Sequence, residues 1–164
     1  MTPEPILSKM SIRGHPLHPV LIHFPVAALI GLVATDLAFL VTNDGFWARA
    51  GLWLAGVGAL GGWISGLAGL VDLISVARIR RLIAAWSHAV LAVMLLSLAT
   101  LNWLLRVEAG TVQDSALHSG AAQILPWGLY LSVLTALLIS MTGILGGQLV
   151  YEYAVGVDTE DTPL

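Results

Sequence analysis

Apolar residues fill the chain in four long blocks, parted by short stretches that hold most of the charge. The blocks run over about residues 20–41, 46–74, 82–105 and 124–151. A bilayer core of about 30 Å takes roughly 20 apolar residues in a helix, so each block is long enough to cross. The runs are continuous rather than alternating, which argues against a β-barrel, whose strands need only about ten residues each. The connections Thr42–Gly45, Ser75–Arg81 and Arg106–Gln123 are short, and short connections set consecutive helices antiparallel. The expectation is an all-α membrane protein: an up-down bundle of four transmembrane helices forming one domain over residues 1–164, with 152–164 as a short acidic tail.

Composition sharpens the picture. The chain of 164 residues is 57% hydrophobic and 10% charged, with a mean hydropathy of +0.87. A soluble domain carries about 25% charge. Seven basic and ten acidic residues cannot coat a soluble globule or form the basic stripe of a nucleic-acid binder. Cysteine is absent, which excludes disulfides, thiolate metal sites and cysteine nucleophiles. The first block is about 22 residues long and lacks an A-x-A-like site, so it reads as a retained helix and not a signal peptide. Lys9, Arg13, Arg78, Arg80 and Arg81 fall on one side of the membrane, against Arg49 and Arg106 on the other. The positive-inside rule then places both termini in the cytoplasm.

Two small-residue ridges, Gly58/Gly62/Gly66 and Gly143/Gly147, let neighbouring helices approach closely. They read as packing inside the bundle, and the same spacing would also suit a homo-oligomer. Trp47, Trp127 and Trp86 sit where aromatic rings anchor at membrane boundaries.

In so apolar a chain, ionisable residues at membrane depth carry the information, because each is costly there unless paired or hydrated. His23, Asp36, Asp72 and His88 qualify, with His15 and His18 just outside. At 1.5 Å per residue, His23 and His88 lie within ~10 Å of the cytoplasmic boundary. Asp72, Gln148 and Tyr151 end their helices on the same side. This predicts a cytoplasmic-side cluster drawn from all four helices. Asp36 lies about 20 Å deeper than His23, near the level of Asn102, Arg49 and Arg106, and is expected to be paired with them. Between Gly14 and Pro25, Pro16, Pro19 and Pro25 should hold His15, His18 and His23 on an extended or turned lead-in, because proline blocks a regular helix. Imidazole is a common ligand of Zn, Cu and Fe. His23 and His88 are therefore the candidate cofactor ligands, and His15, His18 and Asp72 the candidate metal ligands. The alternative for His15 and His18 is capping of helix ends.

His15-Pro16-Leu17-His18-Pro19, His23-Phe24-Pro25, Asp36, Gly69 with Asp72, His88 and Gly146-Gly147-Gln148-Leu149-Val150-Tyr151 occur in that order. In these residues the chain resembles the bacterial membrane proteins catalogued as domain of unknown function 2231 (DUF2231), over roughly residues 14–157. The resemblance implies a four-helix protein of the bacterial inner membrane with unassigned biochemistry. Some relatives look joined to cytochrome c-like modules, which implies a redox setting. Ala154 stands where the family often has glycine, and no asparagine follows His88 by a turn.

Three functions compete. The first is a haem b or transition-metal site serving membrane electron transfer, with lipid and other membrane redox subunits as partners. The second is a structural or accessory subunit whose polar residues stitch helix ends. The third is a small ion or metal transporter. No G-x-S-x-G, H-E-x-x-H or phosphate-binding glycine loop is present, so hydrolytic and transferase activity are not expected.

Overall fold

A computed structural model describes residues 4–112 and 121–157. A small hairpin opens the chain: β1 (Ser11–Ile12) pairs antiparallel with β2 (His15–Pro16). Its turn carries Arg13 and Gly14 at φ +51° and +80°, left-handed backbone that glycine adopts without steric cost. The helices are α1 (Leu17–Thr42), α2 (Gly45–Ser75), α3 (Ala77–Arg80), α4 (Ile83–Val112), α5 (Ala121–Ile124) and α6 (Trp127–Tyr151). Four are long and apolar enough to cross a bilayer: Leu17–Thr42, Gly45–Ser75, Ile83–Ala109 and Trp127–Tyr151.

The proline-rich lead-in departs from expectation. Only His15 and Pro16 are extended; α1 begins at Leu17 and includes both Pro19 and Pro25. The first turn of a helix leaves its N–H groups without internal acceptors, so Pro19 forfeits no hydrogen bond there. His18 consequently sits on the first turn of a transmembrane helix. Between α1 and α2, Asn43 ends one helix in left-handed backbone, its N–H bonded to Phe39 O at 2.7 Å. Asp44 starts the next by accepting from Phe46 N at 2.8 Å.

Close approaches along α1 and α2 join His18 with Ser65, Pro25 with Gly61, Leu29 with Gly58, and Leu32 and Thr35 with Gly51. Residue numbers rise along one helix as they fall along the other. The same reversal links α2 to α4 through Gly56–Trp103 and Gly62–Leu96, and α4 to α6 through Asn102–Ser132 and His88–Thr142. A methyl group at Gly58 would overlap Leu29, and one at Gly62 would overlap Leu96. This ridge is therefore spent on contacts within the chain. The second ridge is not: a Cβ at Gly143 would meet open space, and one at Gly147 only Tyr151 of its own helix. Gly146 is the packed glycine of α6, against His88.

Leu29, Leu32, Ala55, Ala59, Leu95, Leu96, Ala99 and Ile139 form the central core. At one end, the chain's two terminal segments meet. Ile6 N donates to Ala154 O at 3.0 Å, and Gly156 N donates to Ile6 O at 2.8 Å. Ala154 is 4% exposed and takes φ +51°. Residues 154–156 thus pack against Ile6, and Val155 N turns back onto Leu149 O at 3.0 Å. Residues 158–164, with Asp158, Glu160 and Asp161 of the acidic tail, lie outside the described residues, as do 113–120 of the last long connection.

Candidate functional site

Two polar clusters lie at opposite ends of the central core. At the first, Asp36 on α1 and Arg106 on α4 are both 0% exposed. Arg106 Nη1 donates to Asp36 Oδ1 at 2.9 Å and Nη2 to Oδ2 at 2.7 Å, a bidentate pair. Arg106 Nε donates to Asn102 Oδ1 at 2.9 Å, and Asn102 Nδ2 to Ser132 Oγ at 3.0 Å. Ser132 Oγ closes the ring by donating to Asp36 Oδ2 at 2.7 Å. Room for the guanidinium comes from Gly51, where a Cβ would stand 3.0 Å from Nη1. Arg49, expected in this group, is exposed instead. Ser132 completes the network and had no distinguishing signal in the sequence, being one hydroxyl residue among many.

The second cluster surrounds a cavity of about 470 Å³ at the end where the termini meet. His18 from α1 and His88 from α4 both line it, their ring centroids 6.1 Å apart and their planes at 87°. His18 Nδ1 lies 2.9 Å from Ser65 O, and His88 Nδ1 lies 3.0 Å from Thr142 O. A carbonyl only accepts, so a neutral His88 ring carries its proton on Nδ1. His18 Nδ1 also lies 3.1 Å from Ser65 Oγ; with the hydroxyl proton of Ser65 given to His18 O, Nδ1 is the donor there too. Each Nε2 is left as an acceptor with no partner among the described residues. Ser65, fully buried, also donates from Oγ to His18 O at 3.2 Å, which clamps the first turn of α1 to α2. Gly69 and Gly146 each face an imidazole, where a Cβ would stand 3.2 Å from His18 Nδ1 and 3.3 Å from His88 Cε1.

The structure does not bring the expected cofactor pair of His23 and His88 together. His23 is exposed on the outside of α1. Five residues separate it from His18, which turns it roughly 140° around the helix. His18 takes its place beside His88. The expected metal set of His15, His18 and Asp72 is likewise dispersed. His15 is exposed on the hairpin, its Nδ1 3.0 Å from Arg13 O. Asp72 is 8% exposed and holds the N-terminal segment: it accepts from Ser8 Oγ at 2.5 Å, Lys9 N at 2.8 Å and Met10 N at 3.0 Å. Among the described residues, no three His, Asp or Glu side chains gather as a metal centre. Gln148 donates to Glu152 at 2.9 Å and Tyr151 is exposed, so neither joins the cavity wall.

Beyond the two histidines, Ser8, Asp72 and Thr142, the wall is built of apolar residues. Pro25, Leu29, Ala92, Leu96 and Ile139 form its inner end, and Ser8, Pro16, Val155 and Gly156 close the end where the termini meet. Leu67 and Val93 line the cavity while being 60% and 52% exposed on membrane-spanning helices, so the wall also reaches the lipid side.

No curated protein and no solved structure matches the chain. The sequence profile of the family described as "Predicted membrane protein (DUF2231)" matches residues 14–159, and with nearly the whole chain covered, the protein belongs to that family.

Proposed function

We propose that this chain is a membrane-embedded binding component of electron transfer, in which His18 and His88 hold an organic redox group in the cavity that both line. The observation that carries this reading is the pair of imidazoles from two helices, each with Nδ1–H committed to a backbone carbonyl and Nε2 left to accept. Such backbone bonds fix a ring's orientation, as they do behind ligating histidines. Haem b, which His18 and His88 would hold through Nε2, belongs to this class of group. A transition metal alone is a poorer match, since His18 and His88 have no third His, Asp or Glu beside them among the described residues.

The reading includes an up-down bundle in the bacterial inner membrane with both termini cytoplasmic. The reversed residue pairings and the basic residues at Lys9, Arg13, Arg78, Arg80 and Arg81 support it. The test is purification from native membranes, followed by a visible spectrum and mass analysis of extracted small molecules. One redox group per chain is expected, lost in His18→Ala and His88→Ala. A wild-type protein carrying no such group refutes the proposal.

A second reading, the accessory subunit, draws on Asp72, whose carboxylate is committed to Ser8, Lys9 and Met10. It expects the histidine variants to lower the melting temperature and remove nothing. Transport is the weakest of the three, because the apolar core of Leu29, Leu32, Leu96, Ala99 and Ile139 separates the two polar clusters.

A further inference from the structure

Resting on the reading that the cavity lined by His18 and His88 binds a redox group, the geometry points to the class of that group: an uncharged aromatic lipid with phenolic hydroxyls, a membrane quinol. Three observations converge on it.

The first is the sign of the polar groups. A neutral His88 spends its proton on Thr142 O, and a neutral His18 directs its own at Ser65 O with Ser65 Oγ beside it, so each offers Nε2 to a donor. A phenolic O–H is such a donor. An anionic oxygen or a quinone carbonyl is not, and would meet two lone pairs.

The second is charge. No lysine or arginine lines the cavity among the described residues, and its one carboxylate, Asp72, already accepts three hydrogen bonds from the N-terminal segment. A haem carries two propionates that need donors or cations where they are buried. A quinol is neutral and makes no such demand.

The third is access. Asp72 ties Ser8–Met10 across one end of the cavity, and Ile6 is pinned between Ala154 and Gly156 beside it. Leu67 and Val93 form a wall that is itself half or more exposed on membrane-spanning helices. A ligand with an apolar tail therefore enters between helices, from the bilayer, and leaves its tail among lipid chains.

The probe is a tritiated decyl-chain benzoquinol kept reduced under nitrogen, bound to the full chain in lipid nanodiscs and compared with empty nanodiscs. The comparator is its dimethyl ether, which keeps ring and tail but loses both donors. Saturable binding of one quinol per chain is expected, at least tenfold weaker for the ether. Because the ether is tested on wild-type protein, the result does not depend on any variant folding. His88→Phe, which keeps an aromatic ring without Nε2, should weaken quinol binding by a similar factor. Equal binding of quinol and ether overturns the proposal. Hemin binding with a Soret shift that His88→Phe abolishes, together with displacement of the quinol, overturns it while leaving the cavity reading intact. Failure of both quinol and hemin to bind overturns the two together.

Discussion

Arg106→Met should be among the most damaging single substitutions in this chain. It removes a guanidinium that is fully buried with Asp36 and makes four hydrogen bonds, to Asp36 Oδ1 and Oδ2, Asn102 Oδ1 and Ser132 Oγ. Methionine fills much of the volume, so the loss is electrostatic rather than a cavity. Asp36 would be left as an uncompensated carboxylate with one hydroxyl donor, Ser132. Breaking a buried pair by deleting one partner costs about 3–5 kcal/mol. Asp36→Leu should cost a similar amount, because it strands the cation instead. The double variant, with both charges gone, should recover much of the loss, since an apolar replacement of a whole pair is often neutral. The assay is reversible unfolding in mixed micelles with rising SDS, read by tryptophan fluorescence, for wild type, both singles and the double. A double-mutant coupling of about 2 kcal/mol or more is expected, at the upper end for contacting residues. Single losses below about 1 kcal/mol that simply add would refute the claim that this pair locks α1 to α4.

Three further outcomes follow from named contacts. Asp72→Asn removes the charge from the acceptor of Ser8, Lys9 and Met10; hydrogen bonds to charged groups contribute about 1.5–3 kcal/mol each, so trypsin should cut sooner at Lys9 and Arg13. Unchanged cleavage rates would remove Asp72 from that role. Ala154→Gly should raise stability by about 1 kcal/mol in the same SDS titration, because Ala154 holds φ +51°, where an L side chain is strained. Gly58→Ala should cost about 1–3 kcal/mol through overlap with Leu29, whereas Gly143→Ala, which meets open space, should cost little. Equal losses at the two glycines would show that the α1–α2 approach is looser than described.

The extent of the helices was legible because it follows from length and hydropathy alone, quantities that add along the chain. The pairing of Asp36 with Arg106, which Asn102 supports one turn away on α4, was also within reach, since Asp36 has no inexpensive way to sit alone in lipid. Arg49 was included on depth and excluded by direction: it shares the level but faces outward.

The cavity shows the opposite case. His15, His18 and His23 looked alike in the sequence, and the prolines around them pointed to a lead-in that was not helical. Once Pro19 is accommodated in the first turn of α1, His18 turns toward Ser65 and His23 turns away. Nothing local could decide between them. α1 carries no continuous polar stripe to mark its inward face, unlike α4, where His88, Asn102 and Arg106 share one. Depth in the membrane is a property of the chain's own hydropathy, and the sequence determined it. The rotation of each helix about its axis depends on which neighbour fills its grooves. Only the packing of Leu29 on Gly58, Leu96 on Gly62 and His88 on Gly146 decided that His18 and His88, and not His23, share a cavity.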